Sequence, residues 1–140
     1  MSRCVARPPC GQGLSLTLRA YLVEDSEIIR TNLQEALLEM GNAEVVAHAD
    51  GEAKARDWFD EHPDDWDLAV VDLFLKEGSG LSLLRSQCCR APEQKMIVLS
   101  NYATRDMRER CTRVGVDAVF DKSTELDDML AWCRSLRQRP

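Results

Sequence analysis

The sequence predicts an α/β domain: a doubly wound five-stranded parallel sheet covered by helices on both faces. Three observations predict it. Short apolar runs alternate with longer stretches of helical period, the signature of repeated βαβ units. Three of those runs, AYLV (20–23), LAVV (68–71) and MIVL (96–99), are apolar at successive positions rather than at alternate ones, as strands buried on both faces require. The chain has 140 residues, the length of one ordinary domain, at which folding buries roughly two-thirds of the unfolded chain's surface.

Residues 1–15 hold Pro8, Pro9, Gly11 and Gly13 and read as a flexible leader ahead of a domain at 16–140. The leader carries arginines but no apolar stretch behind them, so a secretory signal is not expected. The first strand is Leu18 to Glu24. A helix follows, because Ile29, Leu33, Ala36, Leu37 and Met40 recur at steps of three and four, with Ser26 placed to cap its start and Gly41 to follow its end. Then come a strand at Glu44 to Ala49, a helix at Glu52 to Glu61, a strand at Asp67 to Asp72 and a helix at Leu81 to Cys89. A strand at Met96 to Ser100, a helix at Arg105 to Val114, a strand at Ala118 to Asp121 and a helix at Glu125 to Leu136 complete the series. Thr124, with Asp127 three residues on, is the expected cap of the last helix. The basic stretch Arg134 to Arg139 complements that helix's C-terminal end. No internal repeat or second domain is visible.

Composition excludes several classes of function. The six cysteines (Cys4, Cys10, Cys88, Cys89, Cys111, Cys133) have no regular spacing and form no C-x-x-C pair, so they read as reduced thiols rather than a disulfide frame. With only His48 and His62 beside them, a zinc site has little support. The apolar runs are too short for membrane insertion, and a cytoplasmic protein is expected. A net charge of −6 argues against direct nucleic-acid binding. Trp58, Phe59, Trp66 and Trp132 read as packing residues.

In an open parallel sheet, ligands bind beyond the carboxyl ends of the strands. Here those ends carry Glu24 and Asp25, Asp72, Ser100 and, after the fifth strand, Lys122. Crowded carboxylates repel one another unless a cation neutralises them. Mg²⁺ (or Mn²⁺) suits such a set, keeping waters where Ca²⁺ would need more protein ligands. A carboxylate oxygen of Asp72 left free could attack phosphorus, aspartyl phosphate being an established kind of covalent intermediate. Lys122 and Ser100 supply donors for the transferring group.

The motifs VEDS (23–26), VVDLFLKEGSG (70–80), VLSNYA (98–103) and VFDKS (119–123) together resemble the response-regulator receiver family of two-component signalling, over about residues 17–138. The resemblance implies the flavodoxin-like strand order 2-1-3-4-5. It implies that Asp25 binds the metal directly and Glu24 through water, and that Asp72 accepts the phosphoryl group. The backbone carbonyl of Phe74 would be a further metal ligand. Ser100 would bond the phosphoryl group and move on activation, Lys122 would pair with that group, and Gly78 and Gly80 would shape the intervening loop. It also implies a phosphorylation-dependent switch, fed by a histidine kinase or histidine phosphotransfer protein and read by an unidentified downstream protein. Such a switch is no enzyme beyond its own phosphoryl acceptance and slow autodephosphorylation. At this length a stand-alone receiver is expected, unless the chain is part of a longer one.

Two positions depart from the family pattern. Val119 stands where many receivers carry an aromatic residue that swings inward, and Ser123 where a proline is common. Phe120 cannot take Val119's place, because successive strand residues face opposite sides. Phe74 and Tyr102 border the path of attacking water and are expected to slow phosphate loss. Two other readings stay open: a receiver-like interaction module that takes no phosphate, and an aspartate-nucleophile phosphatase of the haloacid dehalogenase-like kind. The second lacks the D-x-D pattern, since Glu27 stands in a different local context and Phe74 is apolar. A flavodoxin-type carrier would need a Ser/Thr/Gly-rich phosphate loop where this chain has EDSEI.

Overall fold

The computed structural model describes residues 17–87 and 90–136. The expected leader, Cys4, Cys10, Cys88, Cys89 and the end of the basic stretch lie outside the described residues. In chain order the elements are β1 (Leu18–Val23), α1 (Glu27–Met40), β2 (Ala43–Ala49), α2 (Glu52–Glu61), β3 (Leu68–Val71), α3 (Gly80–Ser86), β4 (Lys95–Ser100), α4 (Arg105–Arg113), β5 (Ala118–Asp121) and α5 (Leu126–Ser135). The strands form one parallel sheet in the order β2-β1-β3-β4-β5. The order reverses between β1 and β3, and an open sheet offers its ligand crevice at that switch point.

Both faces of the central strands are covered, which explains their unbroken apolar runs. Tyr21, Val23, Val71 and Val98 pack with Ala55 and Phe59 of α2, Leu83 and Leu84 of α3, and Cys111 of α4. Leu22, Val70, Ile97 and Leu99 point the other way, against Leu33 and Leu37 of α1 and Met129, Leu130 and Cys133 of α5. The expected packing aromatics join these layers. Trp66 is buried, Trp58 stacks on Tyr21 at 4.0 Å, and Trp132 meets Phe120 edge-on. Cys111 and Cys133 are free and buried, and burial pushes the Cys133 thiol up to about 12. Both are inert at neutral pH. Among the described residues no helix is long and apolar enough to cross a membrane.

Gly41 follows the end of α1 as expected, capping the helix at φ −110°, and the next residue, Asn42 (φ 57°), takes the left-handed region; asparagine tolerates that conformation through its short polar side chain. Three local features differ from the sequence expectation. Helix α3 starts one residue early, at Gly80 behind a Ser79 cap, and ends at Ser86 rather than Cys89. Thr124 does not cap α5. Its amide is instead taken by Asp121 Oδ1, which also accepts from the Ser123 amide and hydroxyl. Finally, β2 is bulged. Ala20 pairs with Val45 but Tyr21 with Ala47, so Val46 is skipped. Val45 therefore lies with the α1 and α5 layer while Ala47 and Ala49 turn to the α2 side, as one inserted residue on a strand of period two requires.

Candidate functional site

The polar residues that end the strands converge on one edge of the sheet. β1 runs into Glu24 and Asp25, β3 into Asp72, β4 ends on Ser100 and β5 is followed by Lys122. Strand pairing carries them there. The Asp72 amide donates to Val23 O at 3.0 Å and the Lys122 amide to Ser100 O at 3.0 Å, each extending a ladder past its last paired residue. Carboxylate oxygens of Glu24, Asp25 and Asp72 all lie within 4.8 Å of one another.

Lys122 holds the centre. Its Nζ sits 2.7 Å from Glu24 Oε1 and 2.9 Å from Asp72 Oδ2. Glu24, Asp72 and Ser100 are buried. An acid removed from water in this way resists ionisation, and burial holds the Glu24 carboxyl above its usual range despite the opposing pull of Lys122. For Lys122 the balance is reversed: burial works against the charge, but hydrogen bonds to Glu24 and Asp72 outweigh it and raise the ammonium's pKa. The lysine therefore stays charged between two acids. The second oxygen of Asp72 accepts from the Phe74 amide at 3.3 Å, so its carboxylate is oriented from both sides. Glu24 Oε2 accepts from the Ser26 amide, and Asp25 Oδ2 accepts from the Lys76 amide at 2.7 Å. Ser26 separately caps α1 through its hydroxyl. Ser100 Oγ accepts from the Tyr102 amide at 3.0 Å.

Loop 73–79, which follows Asp72, is fastened from outside. The N-terminus of α2 has no side-chain cap of its own. Glu77 supplies one, accepting from the Glu52 amide with its backbone oxygen and from the Ala53 amide with its carboxylate. Glu52 returns the contact by accepting from the Ser79 amide at 2.8 Å and pairs with Arg56 at 2.7 Å. Gly78 takes φ 85° inside this turn. Gly80 permits the closest approach, since a Cβ there would run into the carbonyl oxygen of Asp72. Phe74 and Tyr102 are both exposed and meet edge-to-face at 5.0 Å.

Glu24, Asp25, Asp72, Phe74, Ser100, Tyr102 and Lys122 thus lie at or just past strand ends, whereas Val119 lies within β5. Val119 packs toward the α2, α3 and α4 layer, and Phe120 packs on the opposite side of the sheet, so Phe120 does not stand in for it. Sequence reading missed Lys76, whose contribution is a backbone amide, and the Glu52–Glu77 exchange, which joins residues far apart in the chain. It also missed Arg108 and Glu125, described below. The spacing of Glu125 four residues after Asp121 was the available signal for one of them. A concavity of about 570 Å³ on α4, lined by Arg105, Arg108, Glu109, Thr112 and Arg113, contains none of the strand-end residues.

A hard divalent cation fits this edge. Three hard oxygen donors lie within reach of a single ion, and their mutual repulsion is only partly offset by one lysine. Receiver domains bind Mg²⁺ or Mn²⁺ at an acidic pocket of this kind.

Comparison with known proteins agrees with the geometry. The acid tolerance regulatory protein ActR of Rhizobium meliloti (strain 1021) is 31% identical over 121 residues, covering 85% of this chain and 58% of ActR. The chain spans little more than half the length of such curated relatives. The crystal structure of the response regulator domain of Thermotoga maritima CheB shares the fold, with a TM-score of 0.75 at 18% identity over 89% of this chain and 98% of that one. The Mn(2+)-bound form of response regulator Rcp1 does so with a TM-score of 0.66 at 21% identity, over 84% and 89% of the two chains. The family model described as the response regulator receiver domain matches residues 20–134, and with the strand order and the acidic edge already in place, this chain belongs to the response regulator receiver domain family.

Proposed function

We propose that this domain is a phosphorylation-dependent switch that accepts a phosphoryl group on Asp72. The observation that carries the reading is Lys122, bridging Glu24 and Asp72 at 2.7 and 2.9 Å within reach of the Ser100 strand end. An ordinary surface lysine has no reason to be drawn between two buried acids, because burying such a set costs several kcal/mol unless every charge is answered.

In the proposed step a carboxylate oxygen of Asp72 attacks phosphorus and the bond from phosphorus to the donor's leaving group breaks, giving an acyl phosphate and the free donor. Lys122 follows the charge from the carboxylate to the new phosphoryl oxygens, and the Ser100 hydroxyl donates to one of them. Glu24, Asp25 and Asp72 would hold Mg²⁺ or Mn²⁺, with the Phe74 carbonyl as a further ligand. When bound, the ion neutralises negative charge on the acids and on the incoming group. Phe74 and Tyr102 cover the site's open side and limit the approach of water. A histidine kinase or histidine phosphotransfer protein in the cytoplasm supplies the group, as is typical of receivers. A downstream protein reads the resulting shift in surface conformations. Val119 leaves that shift without the usual aromatic relay.

Intact-mass measurement after incubation with a small acyl phosphate and Mg²⁺ tests the proposal. The parent should gain one phosphoryl group and Asp72→Asn none. No gain in the parent, or an equal gain in the variant, overturns it and leaves the domain a phosphate-independent interaction module.

A further inference from the structure

One side chain outside the acidic edge touches every segment that frames its Ser100 and Lys122 side. Arg108, on α4, donates from Nε to Ala103 O at 2.9 Å, from one terminal nitrogen to Val119 O at 3.1 Å and from the other to Glu125 Oε1 at 2.8 Å. Ala103 belongs to the loop after β4, in which the Tyr102 amide fixes the Ser100 hydroxyl. Val119 lies in β5. Glu125 Oε1 also accepts from the Asp121 amide at 2.8 Å, one residue before Lys122. The two loops are joined as well by the Lys122 amide on Ser100 O.

The arrangement is more than a surface ion pair. An exposed pair of this kind is typically worth little, yet this guanidinium answers three acceptors on three separate segments, and its planar fork suits such a geometry where a lysine's single ammonium does not. Glu125 in turn accepts both of these side-chain hydrogen bonds through one oxygen, so losing the carboxylate releases Arg108 and the Asp121 amide together. The Arg108 guanidinium, and after it the Asp121 amide, hold the Glu125 carboxyl below its usual range, so the pair stays charged at neutral pH.

We propose that Arg108 and Glu125 act as positioning residues for phosphoryl acceptance, holding the loop of Ser100 and the loop of Lys122 in one fixed relation across the site. The proposal rests on the reading of Asp72 as the acceptor. Neither residue touches the reacting group. They act through the hydroxyl and the ammonium, which must both lie within bonding reach of the same phosphoryl oxygens.

The test measures the initial rate of acyl-phosphate-driven mass gain in the parent, Arg108→Ala, Glu125→Ala, the double variant, Arg108→Lys and Glu125→Gln, with Mg²⁺ affinity followed by calorimetry and folding by circular dichroism. Because small misplacements of reacting groups cost up to on the order of a hundredfold, Arg108→Ala should slow acceptance by about tenfold. Glu125→Ala should do the same, and the double variant should be no slower than either, since one unit is being broken. Glu125→Gln, still an acceptor, should retain most of the rate, and Arg108→Lys should fall between. Mg²⁺ affinity should stay at the parent's value, because Glu24, Asp25 and Asp72 make no contact with the clasp. Parent-like rates in folded Arg108→Ala overturn the proposal, as do losses that multiply in the double variant or that track Mg²⁺ affinity. If an alanine variant does not fold, the order parent, Glu125→Gln, Arg108→Lys decides in its place, and equal rates among these three overturn the proposal. A parent that gains no mass removes the Asp72 reading and the clasp together, whereas a normal parent with parent-like clasp variants removes the clasp alone.

Discussion

At the scale of single residues, the site depends on how few atoms face water. Asp72 is buried and engaged at both oxygens, and Phe74 and Tyr102, two residues beyond Asp72 and Ser100, are exposed with their rings in contact. On the proposed reading, water would approach an acyl phosphate at Asp72 past these two rings. Phe74→Asn should therefore shorten its lifetime by about threefold to tenfold, a change of about 1 kcal/mol in the barrier. The decay of the phosphorylated mass in each protein measures this, and an unchanged lifetime would remove the covering role. The strand-end acids, serine and lysine were legible in the sequence because each follows an apolar run that could only be a strand. The partners of Asp25 and Ser100 were not, being the backbone amides of Lys76 and Tyr102, groups that every residue carries.

At the scale of elements, the junction of β5 and α5 shows one local preference displacing another. Thr124 has the right chemistry for a helix cap and the right acid three residues later, yet Asp121 gathers the Ser123 and Thr124 amides into a turn of its own and Glu125 is drawn to Arg108. A tertiary ion pair chose between two local patterns of similar strength, which no window on the sequence contains. This turn has a pH signature. Hydrogen bonds from the Ser123 hydroxyl and amide lower the Asp121 pKa, and Arg108 lowers that of Glu125. A depressed folded pKa adds stability that is complete above the unfolded value, about 4, and is lost as pH falls through the folded one. Urea midpoints should thus drop as pH falls from about 5 to about 3, and drop less in Asp121→Asn, which has no charge to lose there. Equal drops would show that the turn does not contribute.

At the scale of the whole molecule, fold class and strand order follow from the unbroken apolar runs and the two layers of helices that cover them. Adding a cation to the acidic edge should stabilise this whole rather than one loop, because the donors come from the ends of two neighbouring central strands. Mass action predicts that saturating Mg²⁺ at about a hundred times its dissociation constant adds about 2.7 kcal/mol. The unfolding temperature should rise with Mg²⁺, return to its starting value with a chelator and respond much less in Asp25→Asn. A temperature that ignores Mg²⁺ would mean that the three acids do not bind it.

The skipped residue in β2 was invisible beforehand, since Glu44 to Ala49 reads as an ordinary strand whichever way its side chains alternate. Its consequence concerns chain length as much as shape. Because Ala20 pairs with Val45 and Tyr21 with Ala47, deleting the one codon for Val46 would close the ladder into regular alternation and leave Ala47 and Ala49 on their layer. This edge strand thus tolerates both substitution at Val46, which is half exposed, and loss of the position itself, which removes only the local kink and extra twist that a bulge adds.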